Sequence, residues 1–154
     1  MLLSIHILAA LTCVIAGIMA MFAQKRPGLH PLSGTVYYWS LWIVFGTVVI
    51  ISIPKWSEDY HLFILGCFAI CSAVIGRAAE KYKWGKWPIV HITCMSTSYI
   101  ILLTAFYVDN GKFLPIWKNF NPLAYWLLPA AVGIPILLRT LRRHPLSKKY
   151  FDKI

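Results

Sequence analysis

The chain has 154 residues, of which 59% are hydrophobic and 13% are charged, and its mean hydropathy is +0.67. A soluble domain carries about 25% charged residues, so this composition is typical of an integral membrane protein. The net charge of +10 does not indicate a nucleic-acid-binding protein, because the basic residues lie at the ends of apolar runs. We expect one integral membrane domain, residues 1–154, surrounded by the lipid bilayer.

Five apolar segments are each long enough to cross about 30 Å of hydrocarbon: residues 2–23, 31–54, 61–79, 88–108 and 122–138. The first lacks the basic start and small-residue cleavage motif of a signal peptide, so we interpret it as a retained helix. The fifth contains Pro129 and Pro135 and is expected to be kinked. The predicted fold is all-α: a four-helix transmembrane bundle built from a two-helix repeat, plus a fifth transmembrane helix.

The positive charges predict the orientation in the membrane. Only Lys55, Lys112 and Lys118 follow the second or fourth segment. The other twelve of the fifteen basic residues follow the first, third or fifth segment: Lys25, Arg26, Arg77, Lys81, Lys83, Lys86, Arg139, Arg142, Arg143, Lys148, Lys149 and Lys153. Since the side with more Lys and Arg is usually cytoplasmic, we expect the N-terminus outside and the C-terminus in the cytoplasm.

Four histidines fall at matching depths in this topology. His6 and His61 lie near the outer ends of the first and third segments. His30 and His91 lie near the inner ends of the second and fourth, in LHPLSGTVYYW and VHITCMSTSYI. Each half of this repeat is a histidine, an apolar helix, a basic turn and a second histidine. In a bundle, His6 would meet His61 and His30 would meet His91, which gives two histidine pairs stacked across the membrane.

Other residues accompany the inner histidines. Gly34 and Tyr37 follow His30 by about one and two helical turns, and Tyr99 follows His91 by about two. A small residue such as Gly34 allows either a close helix contact or room for a porphyrin. At the same surface, Arg77 and the Lys25–Arg26 turn would either bind haem propionates or act only as topology charges.

Paired histidines on facing helices suit the two axial positions of a haem iron. We therefore predict a small b-type membrane cytochrome with two bis-histidine haems b, which His6, His61, His30 and His91 would bind. It would carry electrons across the membrane between a quinol or membrane protein partner and an acceptor. Any oxidoreductase activity would depend on haem, because the sequence has no nicotinamide or flavin fingerprint.

Other interpretations stay open at this point. The histidines could be interfacial polar residues with a structural role, or they could bind another metal or relay protons. The chain could also be a non-enzymatic subunit or assembly factor of a larger, respiratory-type complex. A transporter is less favoured, because all five carboxylates lie in predicted loops or the tail: Glu58, Asp59, Glu80, Asp109 and Asp152.

The histidine pattern resembles a family of small bacterial membrane proteins with no assigned activity. Its members share a histidine followed by a leucine-histidine-x-x-x-glycine-x-x-tyrosine box, which here is His30, Gly34 and Tyr37. This chain departs from the box at Pro31 and Thr35, where the family carries basic residues. The resemblance covers the first four segments and implies a location in the bacterial inner membrane.

The arrangement of the histidines is also similar to cytochrome b561-type di-haem bundles. In those proteins alternate helices of a four-helix core each supply one histidine, and the first helix pairs with the third and the second with the fourth. The likeness implies an outer haem on His6 and His61 and an inner haem on His30 and His91. It covers only the core, because this chain has five apolar segments rather than six.

Overall fold

The computed structural model describes residues 1–24, 27–145 and 147. Within these ranges the chain is helical and contains no β-strand, which confirms the predicted all-α class. The helices are α1 Leu2–Phe22, α2 Leu29–Ser52, α3 Trp56–Tyr82, α4 Trp87–Asn110 and α5 Pro122–Arg143. Five basic residues used to predict the orientation lie outside the described residues: Lys25, Arg26, Lys148, Lys149 and Lys153.

Four helical stretches in the described part of the chain are long and apolar enough to cross a membrane: Leu2–Phe22, Leu29–Tyr82, Trp87–Phe113 and Pro122–Arg143. The second contains both α2 and α3 and has 54 residues. At 1.5 Å per residue such a helix would be about 80 Å long if straight, more than twice the hydrocarbon thickness. It is therefore long enough to contain two crossings, and the total of five crossings stays a prediction.

The connection between α2 and α3 is helical, whereas the sequence suggested a loop at residues 55–60. A 3-10 turn, Ile53–Lys55, follows α2 directly and leads into α3 at Trp56. Pro54 lies in the first turn of this segment, where its missing N–H is not needed. Glu58 and Asp59 then occupy the first turn of α3, where negative charge is favourable. The polar and proline residues therefore end α2 and begin α3, and the chain reverses direction between them, because the rings of Phe45 and Phe63 lie only 6.1 Å apart.

The chain divides into two compact units, residues 1–70 and 71–154. In the first unit α1 packs against α2. Cys13 and Tyr37 are almost fully buried there, and the Sγ of Cys13 donates to the Tyr37 carbonyl oxygen at 3.6 Å. The ring of Phe63 in α3 packs on Phe45 of α2, with ring centroids 6.1 Å apart. These contacts link three helical segments within this unit.

In the second unit α4 packs against α5, and α3 approaches α4 closely at Gly76. The helix α5 begins at Pro122, and the Asn121 side chain caps it by accepting from the Leu123 N–H at 2.9 Å. The helix continues through Pro129 and Pro135. The kink expected at these prolines stays a prediction.

The outward faces of the helices are strongly apolar. On α5, one face is buried, and large apolar side chains are exposed elsewhere around the helix: Leu123, Trp126, Leu127, Val132, Ile134, Ile136 and Leu138. A soluble protein rarely exposes a contiguous apolar surface of this kind, whereas lipid-facing helices require it. The exposed surface and the helix lengths are thus both compatible with an integral membrane protein.

Gly76 allows the close approach of α3 to α4, so we expect Gly76→Ala to destabilise the protein. A Cβ at this position would lie 3.1 Å from the Cβ of Cys94 and 3.2 Å from the Met95 backbone nitrogen. Overpacking of this kind costs about 1–3 kcal/mol of unfolding free energy. The expected lower Tm is measured by tryptophan fluorescence in detergent. Gly46→Ala is the control, because beyond its chain neighbours and own helix backbone no described atom lies within 4 Å of its new Cβ. Equal Tm values for the two variants would contradict the prediction.

Candidate functional site

His30 lies at the start of α2 and contacts the end of α1. Gly28 precedes the helix with a φ of 126°, a backbone conformation that favours glycine and directs the chain into α2. The Nδ1 atom of His30 lies 2.8 Å from the carbonyl oxygen of Ala20. Because a carbonyl oxygen only accepts, Nδ1 must carry a proton and donate. In the neutral imidazole, the lone pair is then on Nε2.

His91 makes the same type of hydrogen bond near the start of α4. Its Nδ1 atom donates to the carbonyl oxygen of Gly76 in α3, at 2.9 Å. The missing side chain of Gly76 lets α4 come close enough for this contact. Both inner histidines therefore donate from Nδ1 to a main-chain carbonyl of the preceding helix, and both have the Nε2 lone-pair tautomer when neutral.

His6 contacts a side-chain hydroxyl rather than a main-chain carbonyl. Its Nδ1 atom lies 2.8 Å from Oγ1 of Thr47 in α2. The Thr47 hydroxyl also lies 2.8 Å from the Ile43 carbonyl oxygen and 2.9 Å from that of Val44. When its single hydrogen is donated to one of those carbonyls, the oxygen accepts the Nδ1–H of His6; when it is donated to His6, Nδ1 is the acceptor. Thr47 is thus the hydrogen-bond partner that orients the His6 ring.

Thr47 was not among the predicted site residues, although the sequence carries a signal for it. Tyr37, Ser40, Val44 and Thr47 are buried and recur every three or four residues, so they lie on one face of α2. Because α1 and α2 are consecutive packed helices, a hydroxyl near the end of α2 can meet His6 near the start of α1. A hydroxyl on the buried face of α2, at the same depth as His6, was the sequence signal that could have identified Thr47.

His61 lies in α3, in the same unit of the chain as His6. Its half-buried ring packs edge-on against the ring of Tyr60, with centroids 5.9 Å apart. His30 belongs to the first unit and His91 to the second. Both predicted pairings, His6 with His61 and His30 with His91, stay predictions.

The other predicted site residues have different environments. Tyr37 and Tyr99 are 2% and 8% exposed and belong to the packed core. Arg77 is half-buried and follows the acceptor Gly76 in α3. Beyond its own helix backbone and chain neighbours, no described atom lies within 4 Å of a Cβ built on Gly34. Among the described residues, no neighbouring helix packs closely against Gly34.

The described residues contain no group of three or more His, Cys, Asp or Glu side chains placed to share one metal ion. A bis-histidine haem needs only two protein ligands. Comparisons of this chain with protein-family models, curated proteins and solved structures give no match. The function is therefore inferred from the chemistry of these side chains.

Proposed function

We propose that this protein is a small b-type membrane cytochrome that carries electrons across the bilayer through two haems. The observation that supports the proposal most is the Nδ1 hydrogen bond made by His6, His30 and His91. A metal-ligating histidine usually donates its second N–H to a carbonyl or another acceptor, which fixes the tautomer and makes the ligating nitrogen more basic. His30 and His91 have this support from carbonyl oxygens, and His6 has it when the Thr47 hydroxyl accepts.

In the proposed sites, His6 and His61 hold the outer haem and His30 and His91 the inner one. Haem iron, when bound, supplies a one-electron redox centre whose potential depends on its axial ligands and their hydrogen bonds. The carbonyls of Ala20 and Gly76 restrain the orientation of the inner imidazoles. In the proposal these restrained rings offer their Nε2 atoms to the iron, and preorganisation of this kind favours ligand binding.

Two further residues fit this proposal. The open space beside Gly34 would accommodate part of a porphyrin next to His30. Arg77 would supply the positive charge that binds a haem propionate, in a charge-assisted hydrogen bond. Tyr37 and Tyr99 shape the site by packing, because their side chains are buried in the core.

The proposed location is the bacterial inner membrane, with the N-terminus outside and the C-terminus in the cytoplasm. The bias of basic residues supports this orientation, since twelve of fifteen follow the first, third or fifth apolar segment. The electron partner would be a quinol or a membrane protein, because the sequence offers no nucleotide-binding fingerprint.

The test is a reduced-minus-oxidised absorption spectrum of the full chain purified from haem-replete cells. We expect b-type bands and, by pyridine haemochrome assay, two haems per chain. A colourless protein would contradict the proposal. A colourless protein that purifies with a stoichiometric membrane partner would instead favour the non-enzymatic subunit or assembly factor.

Filling the space beside Gly34 is expected to remove the inner haem without unfolding the protein. In Gly34→Leu the added side chain starts in open space and replaces a poor helix former, so Tm should not fall. It would occupy the volume proposed for the porphyrin, and the haem content should fall from two to one. Gly46→Leu is the matched control on the same helix and should keep both. Two haems and an unchanged spectrum in Gly34→Leu would contradict the assignment of this space.

A further inference from the structure

The connection between α4 and α5, residues 111–121, exposes large apolar side chains. Phe113 is 74% exposed and Ile116 is 72% exposed, and Phe120 is also exposed. Lys112 and Lys118 are exposed beside them, and the ammonium of Lys112 lies 5.0 Å from the centre of the Phe113 ring. The surface thus combines apolar tips with neighbouring cations.

This connection is held firmly by the adjoining helices. The ring of Trp117 packs on Tyr107 of α4, with centroids 4.7 Å apart, and on Phe120 at 5.6 Å. The hydroxyl of Tyr125 in α5 donates to the Trp117 carbonyl oxygen at 3.0 Å. The Lys118 N–H donates to the Leu114 carbonyl oxygen, also at 3.0 Å. Phe113 and Ile116 are therefore presented outward by an ordered scaffold.

The position of the connection indicates what covers it. One stretch able to cross a membrane ends at Phe113, and the next begins at Pro122. A connection between two such stretches lies at the bilayer surface, the zone where aromatic residues and lysines are enriched. Residues 111–121 contain two lysines and no carboxylate, so their charge complements anionic lipid phosphates.

We infer that residues 111–121 form an interfacial anchor for anionic phospholipids. Phe113 and Ile116 insert between the headgroups and the acyl chains, while Lys112 and Lys118 bind headgroup phosphates. The anchor fixes the ends of α4 and α5 at the membrane surface. It does not depend on haem binding.

Spin labels in the full chain, reconstituted in lipid nanodiscs, test the insertion. Labels on Phe113→Cys and Ile116→Cys should be accessible to oxygen and shielded from a water-soluble nickel chelate. A label on the exposed Asn119→Cys should show the reverse, and the unsubstituted chain gives the background from its own cysteines. Equal nickel accessibility at all three positions would overturn the inference. Shielding of 113 and 116 from both reagents would also overturn it, because a protein partner would then cover the surface.

The same label at position 116 tests the choice of anionic lipid. The depth of this label in the bilayer should increase when phosphatidylglycerol replaces phosphatidylcholine. The double substitution Lys112→Gln with Lys118→Gln should abolish that increase. Lys55→Gln, an exposed lysine outside the connection, should keep it. A depth that does not depend on phosphatidylglycerol, or a dependence that survives the double substitution, would refute the role of the two lysines.

Discussion

Replacement of His30 by alanine is expected to remove one haem of two and leave the spectrum of the other unchanged. The imidazole of His30 would hold the haem iron through Nε2, and alanine offers no ligand atom. Loss of an axial ligand in a bis-histidine site leaves an iron with one protein ligand and a much weaker hold on the porphyrin. The measurement is haem content per chain, together with the reduced-minus-oxidised spectrum.

Double substitutions then test the pairing that the sequence predicts. His30→Ala with His91→Ala should lose no more haem than either single variant, because both would remove the same site. His30→Ala with His6→Ala should lose both haems. His144→Asn is the control, because His144 lies beyond the end of α5 and outside the proposed sites. Two haems in each of His6→Ala, His30→Ala, His61→Ala and His91→Ala would contradict the ligand assignment. Loss of both haems when His30→Ala is combined with His91→Ala would contradict the pairing.

The sequence was sufficient to predict the all-α class, because apolar runs of this length favour helices in lipid. It was not sufficient to predict the connection from α2 to α3. Pro54 and the charged residues after it are typical of a loop, yet they are equally compatible with the first turns of a new helix. The 3-10 turn Ile53–Lys55 realises the second possibility.

The candidate site shows a second limit of sequence reasoning. The histidines were identifiable from their type and spacing, but the acceptors of His30 and His91 are main-chain carbonyls. Every residue has such a carbonyl, so the sequence gives no indication of which one is used. Only the approach of neighbouring helices selects Ala20 and Gly76.

The sequence also does not reveal what surrounds Gly34 and Gly76, the two glycines near the inner histidines. Gly34 has open space where a Cβ would lie, whereas Gly76 lies against Cys94 and Met95. Both are glycines in apolar helices, and the pattern alone cannot separate room for a ligand from room for a neighbouring helix. The contacts of Gly76 with Cys94 and Met95 identify that glycine as a helix contact.

Thr47→Val is expected to weaken the outer haem site selectively. Valine has a similar volume but offers no acceptor to the Nδ1–H of His6, which then loses the hydrogen bond that orients the ring. Loss of such an outer-shell partner typically reduces metal affinity by about 10- to 100-fold. The midpoint potential of the outer haem should rise, because a less basic imidazole stabilises the oxidised iron less. Haem titration and potentiometry measure the two effects, and the inner haem should be unchanged.

The conservative variant and a matched threonine separate positioning from a purely structural role. Thr47→Ser keeps the hydroxyl and should restore both the affinity and the potential. Thr12→Val removes an exposed hydroxyl that donates to the Leu8 carbonyl oxygen of its own helix, so neither haem should respond. If Thr47→Val lowered Tm without changing the affinity or potential of the outer haem, Thr47 would only stabilise the packing of α1 on α2. If the midpoint potential shifts in Thr47→Val but not in Thr47→Ser, the hydroxyl is what His6 requires. Serine keeps the hydroxyl and loses the methyl group, so a loss of packing would not give this pattern.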